Sequence, residues 1–357
     1  MTGDRAPEPG DVAVVACAQT AHRRRTDDLS EVEMLMPVLH EVLESTGLTT
    51  ADIGFTCSGS SDYLAGRPFS FTMALDGVGA WPPIAESHVE MDGAWALYEA
   101  WVKILAGEAD TALVYAYGTS SSGSVRDVLT RQLDPYYVAP LWPDAVALAA
   151  LQAQALLDAG HADEPALAAV AARSRQAALG NPHAQLRGAR PQGEYLVRPL
   201  RTGDCPPIGD GAVAVVLAAG DRARDLCERP AWIRGMDHRA EAHSLGVRDL
   251  TDSPSTRLAA EHAGAFERPV DTAELHAPFT SQEVVLRRAL RLDDSVDVNP
   301  SGGALAANPV MATGLVRVAD AAARVHRGDS RRALAHATSG PCLQQNLVAV
   351  LEGDARA

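Results

Sequence analysis

The stretch Asn299-Pro300-Ser301-Gly302-Gly303-Ala304-Leu305-Ala306-Ala307-Asn308-Pro309 decides how this chain is read. Asn299 before Pro300 has the chemistry of a turn, because an Asn side chain bonds nearby backbone and proline presets its own φ. Gly302 and Gly303 carry no Cβ and let other groups come close to the backbone. A few residues on, Gly314 opens a helical segment that runs to Gly328. A polar turn follows, and then the strand-like run Ala333-Leu334-Ala335-His336-Ala337-Thr338-Ser339.

The same order of features occurs earlier in the chain. Gly93 opens a helical segment leading to Gly107, a polar turn and the strand-like run Ala112-Leu113-Val114-Tyr115-Ala116-Tyr117-Gly118. The two glycines stand 14 residues apart in both copies, and the copies are offset by 221 (314 − 93). A helix, turn and strand recurring at one offset predict a duplicated α/β unit, with two similar sheets sharing a central layer of helices. The halves are read as residues 1–225 and 226–357, joined through the charged segment Asp221–Pro230. Other expected elements are strands over Asp11–Ala18, Ile53–Cys57 and Ala212–Leu217. A helix is expected from about Ser30 to Thr46, with Met34, Leu35, Val38, Leu39 and Val42 at helical spacing and Gly47 to stop it. The N-terminus of a central helix presents free N–H groups and a positive partial charge, which suit an oxyanion or a thiolate. Chemistry is therefore expected around position 90.

Composition narrows the function. Hydrophobic residues make up 46% of the 357, with few aromatics, as suits a helix-rich α/β protein with buried strands. The net charge of −15 argues against a nucleic-acid surface, which needs a basic face. The five cysteines show no CxxC spacing, so reduced thiols in a cytoplasm are expected, and no metal site. Met1–Gly10 has no apolar signal core and no apolar run is long enough to span a bilayer, so the expectation is a cytoplasmic protein with no membrane contact.

Three further motifs accompany the opening loop: Glu274-Leu275-His276-Ala277-Pro278-Phe279, Asp210-Gly211-Ala212-Val213-Ala214 and Ser339-Gly340-Pro341-Cys342-Leu343-Gln344-Gln345-Asn346. Together they resemble the thiolase superfamily, and within it the branch of lipid-transfer proteins and sterol-carrier-protein thiolases, over residues 10–353. The resemblance implies a duplicated, five-layered αβαβα fold, with a CoA thioester as substrate and no other cofactor. It also locates two departures. The family's nucleophilic Cys stands three residues before a Gly, and here Glu90 precedes Gly93 at that distance. The family's activating His, in Gly-His-Pro, corresponds to Asn308, which accepts no proton near neutral pH. Ordinary thiolysis is not expected of this site.

What remains by resemblance is His276, matching a His that bonds the thioester oxygen, and Asn299, matching a water-holding Asn. Cys342 lies where the family has its second, acid/base Cys. Gly302, Gly303 and Gly340 are expected beside the bound thioester. Glu90 and Asp92 read equally as new acid/base groups or as first-turn acids that stabilise the helix. These groups suit a retro-aldol cleavage of a β-hydroxyacyl-CoA, such as a steroid side-chain thioester, with Glu90 or Asp92 as base, His276 at the oxyanion and Cys342 as proton donor. In aldolases of this branch tyrosines move the protons, and no tyrosine here lies in a matching motif. A non-catalytic scaffold subunit and an acyltransferase with an atypical nucleophile are the alternatives. The resemblance further implies a homodimer and either a small partner with an OB-fold and zinc ribbon or a second thiolase-like subunit. Tyr63, Arg67, Tyr136, Tyr137 and Trp142 fall in irregular stretches read as a substrate lid or a subunit contact. His243 and Arg248 lie in a polar connection and are read as a phosphate contact or as inert.

Overall fold

Runs of Ala, Val and Leu buried on both faces build the strands, as parallel pairing under helices requires. The computed structural model describes residues 11–66 and 68–354; Arg67 and the stretch Met1–Gly10 lie outside the described residues. The strands are β1 (Val12–Gln19), β2 (Phe55–Gly59), β3 (Glu86–Val89), β4 (Thr111–Thr119), β5 (Tyr195–Val197), β6 (Leu200–Arg201), β7 (Asp210–Ala219), β8 (Ala231–Ala240), β9 (Thr272–Leu275), β10 (Asp297–Val298), β11 (Arg332–Ser339) and β12 (Gln345–Glu352). Ten of them form one sheet in the order β10-β9-β11-β12-β8-β1-β7-β4-β2-β3, and β5 and β6 make a separate hairpin.

The large sheet is two copies of one topology. In the first set β2 is parallel to β3 and β4, while β7 runs antiparallel to β4 and β1. In the second, β9 is parallel to β10 and β11, while β12 runs antiparallel to β11 and β8. The sets meet only where Ala13 and Val14 pair with Trp232 and Ala231. Each contains one central helix, Gly93–Leu105 before β4 and Thr313–Arg327 before β11. The offset between Gly93 and Gly314 is thus a repeat of structure. A Cβ on Gly93 would lie 2.6 Å from the Ala116 Cβ and 2.9 Å from Leu315, so only glycine lets the helix start against β4 and its twin helix.

Both central helices and the inner faces of both sheets share one core, built around Leu97, Val114, Leu315 and Leu347. Helix Glu31–Thr46 covers the outer face of the first sheet with Met34, Leu35, Val38, Leu39 and Val42, the five residues that spacing selects; Ser30 and Glu33 form its capping box and Gly47 ends it at φ 68°. Helices Pro254–His262 and Thr280–Ala289 cover the second sheet. These are the five layers, αβαβα.

Tyr63, read in an irregular stretch, lies in the short helix Asp62–Ala65, whereas Tyr136, Tyr137 and Trp142 do lie outside helices and strands. The segment between β4 and β7 contains helices Val125–Arg131, Ala145–Asp158 and Glu164–Ala177. The last two start at Asp144 and Asp163, whose side chains accept from Ala147 and Ala166 N–H. The join Asp221–Pro230 overlaps a short helix, Gly220–Leu226, and Ile53 precedes β2 after a 3₁₀ turn at Thr50–Asp52.

Candidate active site

The N-termini of the two central helices converge on one carboxylate. Asp92 is the N-cap of helix Gly93–Leu105 and accepts from Ala94 N–H at 2.9 Å. It also accepts from Gly314 N–H at 2.8 Å and Leu315 N–H at 3.1 Å, the first turn of the other helix. A Cβ on Gly314 would fall 2.4 Å from Asp92 Oδ1, so glycine at the second copy's start makes room for the acid of the first. Burial pushes this carboxyl up to about 6, against the opposing pull of the three N–H donors and of Arg317. The anion-binding end of the repeat is therefore occupied by a residue of the chain itself.

His276 follows β9, held by its N–H to the His336 carbonyl of β11. Its Nδ1 accepts from Thr338 N–H at 3.3 Å. An amide N–H can only donate, so the ring proton sits on Nε2. Burial brings His276 down to about 3, with His336 and Arg317 pushing the same way, against its bond to the Asn308 side chain. The ring is neutral at pH 7 and acts as a donor. Asn308 Oδ1 also lies 3.0 Å from Thr313 Oγ, a hydroxyl that is 2.9 Å from the Pro309 carbonyl as well. The chain Thr313–Asn308–His276–Thr338 thus gives the site two neutral polar groups, an amide and an imidazole. Thr313 and Thr338 carry no sequence signal for this role, because their partners lie in the other strand or loop.

Asp92, His276 and Asn308 all line one cavity of about 690 Å³. Its remaining wall is largely apolar, with Leu129, Leu133, Val146 and Leu148 from the inserted helices opposite Phe279. Gly340 and Cys342, from the turn between β11 and β12, close the side beside them. Cys342 is buried, its thiol donates to the Leu148 carbonyl at 3.4 Å, and burial pushes its pKa up to about 11. It is a protonated thiol at neutral pH.

Other expected site residues lie elsewhere. Glu90 does not line this cavity: its half-exposed carboxylate accepts from Asp62 N–H at 2.7 Å and stands 3.6 Å from His88 Nε2. Asn299, at φ 52°, is buried with Oδ1 accepting from Leu275 N–H at 2.6 Å and Nδ2 donating to Glu283 at 3.0 Å. It ties the loop to β9 and to helix Thr280–Ala289, away from the cavity. Gly302 and Gly303 also sit behind the wall, where a Cβ would lie 2.7 Å from Ala178 Cβ and 2.8 Å from Asn299 Cγ. Their close approach is to protein, in keeping with a structural role, and neither glycine nor Asn299 lines the cavity. Tyr136 and Tyr137 are 82% and 83% exposed and, like Tyr63 and Trp142, do not line the cavity. Among the described residues no group of three or more His, Cys, Asp or Glu could hold a metal ion, and no helix is long and apolar enough to cross a membrane.

No family model matches the chain. An acetyl-CoA acetyltransferase of Methanothermobacter thermautotrophicus is 26% identical over 351 residues, covering 87% of this chain and 89% of that protein. The 17-hydroxy-3-oxo-4-pregnene-20-carboxyl-CoA lyase of Mycobacterium tuberculosis is 26% identical over 245 residues, 63% of this chain and 61% of its own length. Among solved structures, an Ltp2-ChsH2(DUF35) aldolase superposes with a TM-score of 0.79 at 20% identity, covering 99% of this chain and 100% of that one. Human mitochondrial 3-ketoacyl-CoA thiolase gives 0.75 at 16% identity, over 96% and 99%. The duplicated topology and the shared central helices agree with these relatives: the chain has the thiolase fold and is similar in sequence to members of the thiolase superfamily.

Proposed function

We propose that this protein binds a CoA thioester with a bulky apolar acyl group, of the lipid or steroid side-chain kind, and cleaves a carbon–carbon bond in it by a retro-aldol step. One observation carries the reading: a carboxylate with a near-neutral pKa, a neutral imidazole and a primary amide share the polar end of a large apolar cavity, and no cysteine stands at the helix ends. In this step Asp92 takes the proton of the β-hydroxyl. The Cα–Cβ bond breaks, Cβ becomes a carbonyl, and the electron pair passes into the thioester as an enolate. His276 Nε2–H, leaving its bond to the Asn308 side chain, moves to the enolate oxygen beside the Asn308 amide, and the Cys342 thiol returns a proton to Cα and is reprotonated from Asp92. No water and no acyl-enzyme is consumed or formed. A base with a pKa near the working pH is what such a proton transfer asks for, and oriented neutral donors stabilise the charge as it develops.

The similarity to the pregnene-carboxyl-CoA lyase is compatible with this reaction class, and the relatives also include thiolases. The likeness to the aldolase complex supports a partner of the DUF35 kind, the small OB-fold and zinc-ribbon type expected from the resemblance. A homodimer fits the open edge of β3, the last strand of the sheet. A scaffold role is the second reading, favoured by one fact: all three N–H groups at the helix ends are already taken by Asp92.

The test is to co-purify the chain with its small partner and follow ketone or aldehyde release from β-hydroxyacyl-CoA thioesters. Asp92→Asn should lower kcat by about 10²–10⁴-fold, as loss of a positioned base does. His276→Ala should lower it by about 10²–10³-fold. A complex that stays fully active with either change refutes the catalytic reading.

A further inference from the structure

The turn between β11 and β12 supplies one whole side of the cavity: Ser339, Gly340, Pro341, Cys342, Gln344 and Gln345 all face it. Its backbone is unusual. Gly340, Cys342 and Leu343 have φ of 74°, 53° and 59°. Two adjacent non-glycine residues in the left-handed region carry a conformational penalty, about 1–2 kcal/mol each, that surrounding structure must offset.

The offset comes from outside the cavity. Arg248 is 4% exposed at its side chain. Its Nη1 donates to the Pro341 carbonyl at 3.0 Å and its Nη2 to the Cys342 carbonyl. Nε faces Glu241 Oε2 at 3.3 Å, and the other Glu241 oxygen accepts from Ser255 N–H at 3.2 Å and from its hydroxyl. The next carbonyl, Leu343, accepts from Asn346 Nδ2 at 2.8 Å. Three successive carbonyls of the turn thus each receive a side-chain donor, two of them from one guanidinium. The planar fork of arginine matches two carbonyls in a way that the single ammonium of lysine does not.

We infer that Arg248, locked by Glu241, is a positioning residue that holds the Gly340–Leu343 turn in its left-handed form and so sets the cavity wall against which the acyl group packs. Arg248 itself does not line the cavity. It is neither a phosphate contact nor inert. The turn begins two residues after Thr338, whose N–H sets the His276 tautomer, so the clamp also keeps that donor in place. The link to acyl binding rests on the function proposed above, whereas the clamp does not.

The experiment compares Arg248→Met and Arg248→Lys with the unaltered protein in two measurements. Maleimide labelling of the folded protein, read at Cys342 by peptide mass mapping, reports the turn directly, since Cys342 is 4% exposed. Labelling should rise at least tenfold in Arg248→Met and by less in Arg248→Lys. Titration with lauroyl-CoA should show about tenfold weaker binding in Arg248→Met, with binding partly restored in Arg248→Lys. Cys342 labelling within twofold of the unaltered protein in Arg248→Met overturns the clamp. Raised labelling with unchanged lauroyl-CoA affinity overturns its role in acyl binding. If even the unaltered protein binds no acyl-CoA, the proposed function fails, and the labelling still judges the clamp on its own.

Discussion

Replacing Asp92 with alanine should destabilise the protein, and by an amount that grows as the pH falls. The carboxylate accepts three backbone N–H groups at the convergent ends of the central helices, in a position 2% exposed. Leaving a buried donor without a partner costs about 1–3 kcal/mol, so three give roughly 3–9 kcal/mol. Working against this, the ionised carboxylate is itself held unfavourably: its pKa rises from 3.8 to about 6 on folding. A raised folded-state pKa means that the folded protein binds the proton more tightly than the unfolded chain does. The stability from this group is present in full below about pH 4 and is lost as the pH rises through 6. At pH 7 that loss is on the order of 3 kcal/mol. Asp92→Ala should therefore cost about 3 kcal/mol at pH 7 and about 2 kcal/mol more near pH 4.5. Urea denaturation of both proteins across pH 4.5–7.5 reads this difference, with every other titration cancelling. A difference that shrinks toward acid pH refutes the reasoning, because it means that the N–H donors hold the carboxylate ionised. A difference below about 1 kcal/mol throughout refutes the account of the cap.

Glu90→Gln should leave C–C cleavage within twofold and stability within about 0.5 kcal/mol, the usual range for an exposed change, since an amide oxygen can still accept from Asp62 N–H; a tenfold loss of kcat places Glu90 in the reaction after all. His276 goes from 6.5 to about 3 on folding, so it contributes stability in full above pH 6.5 and loses it as the pH falls toward 3. His22 and His336, lowered to about 3 and about 4, behave alike. His276→Asn should flatten the decline between pH 6.5 and 4.5 by about 2–3 kcal/mol, at 1.36 kcal/mol per pKa unit, measured by urea midpoints; an unchanged acid limb means that the imidazole is not held neutral.

Fold and site differ in how far the sequence reveals them. The repeat was legible because a helix that begins against a strand and a twin helix needs glycine at its start, and Gly93 and Gly314 mark both copies. Helix Glu31–Thr46 was legible because its buried face has a period and its ends have caps. The inserted helices left signals too, Asp144 and Asp163 as N-caps and Glu164-Pro165 at a first turn, but Ala-rich faces buried on several sides show little period. Site residues depend on partners far along the chain. Asn299 is a turn residue by its chemistry, yet its bond to Glu283 comes from another element. Nothing near Arg248 in sequence points to a turn 93 residues away.

The same distinction explains why Glu90 and Asp92, both read as candidate acids near the helix start, come to lie in different surroundings. Counting three back from Gly93 finds Glu90, which sits directly after the last residue of β3 and bonds outward to Asp62. Two residues on, the N-cap φ and ψ of −58° and 145° turn Asp92 inward over the helix start. Its acceptors then meet N–H groups of a helix more than 200 residues later. In an acyl-transfer site those N–H groups would face an oxyanion or a thiolate, and here they face a carboxylate supplied by the chain. A substrate oxyanion cannot take the same donors without displacing Asp92. In the reaction proposed above, the negative charge develops at His276 and Asn308, which line the same cavity. A base held apart from neutral oxyanion donors is what the proposed proton-abstracting cleavage needs.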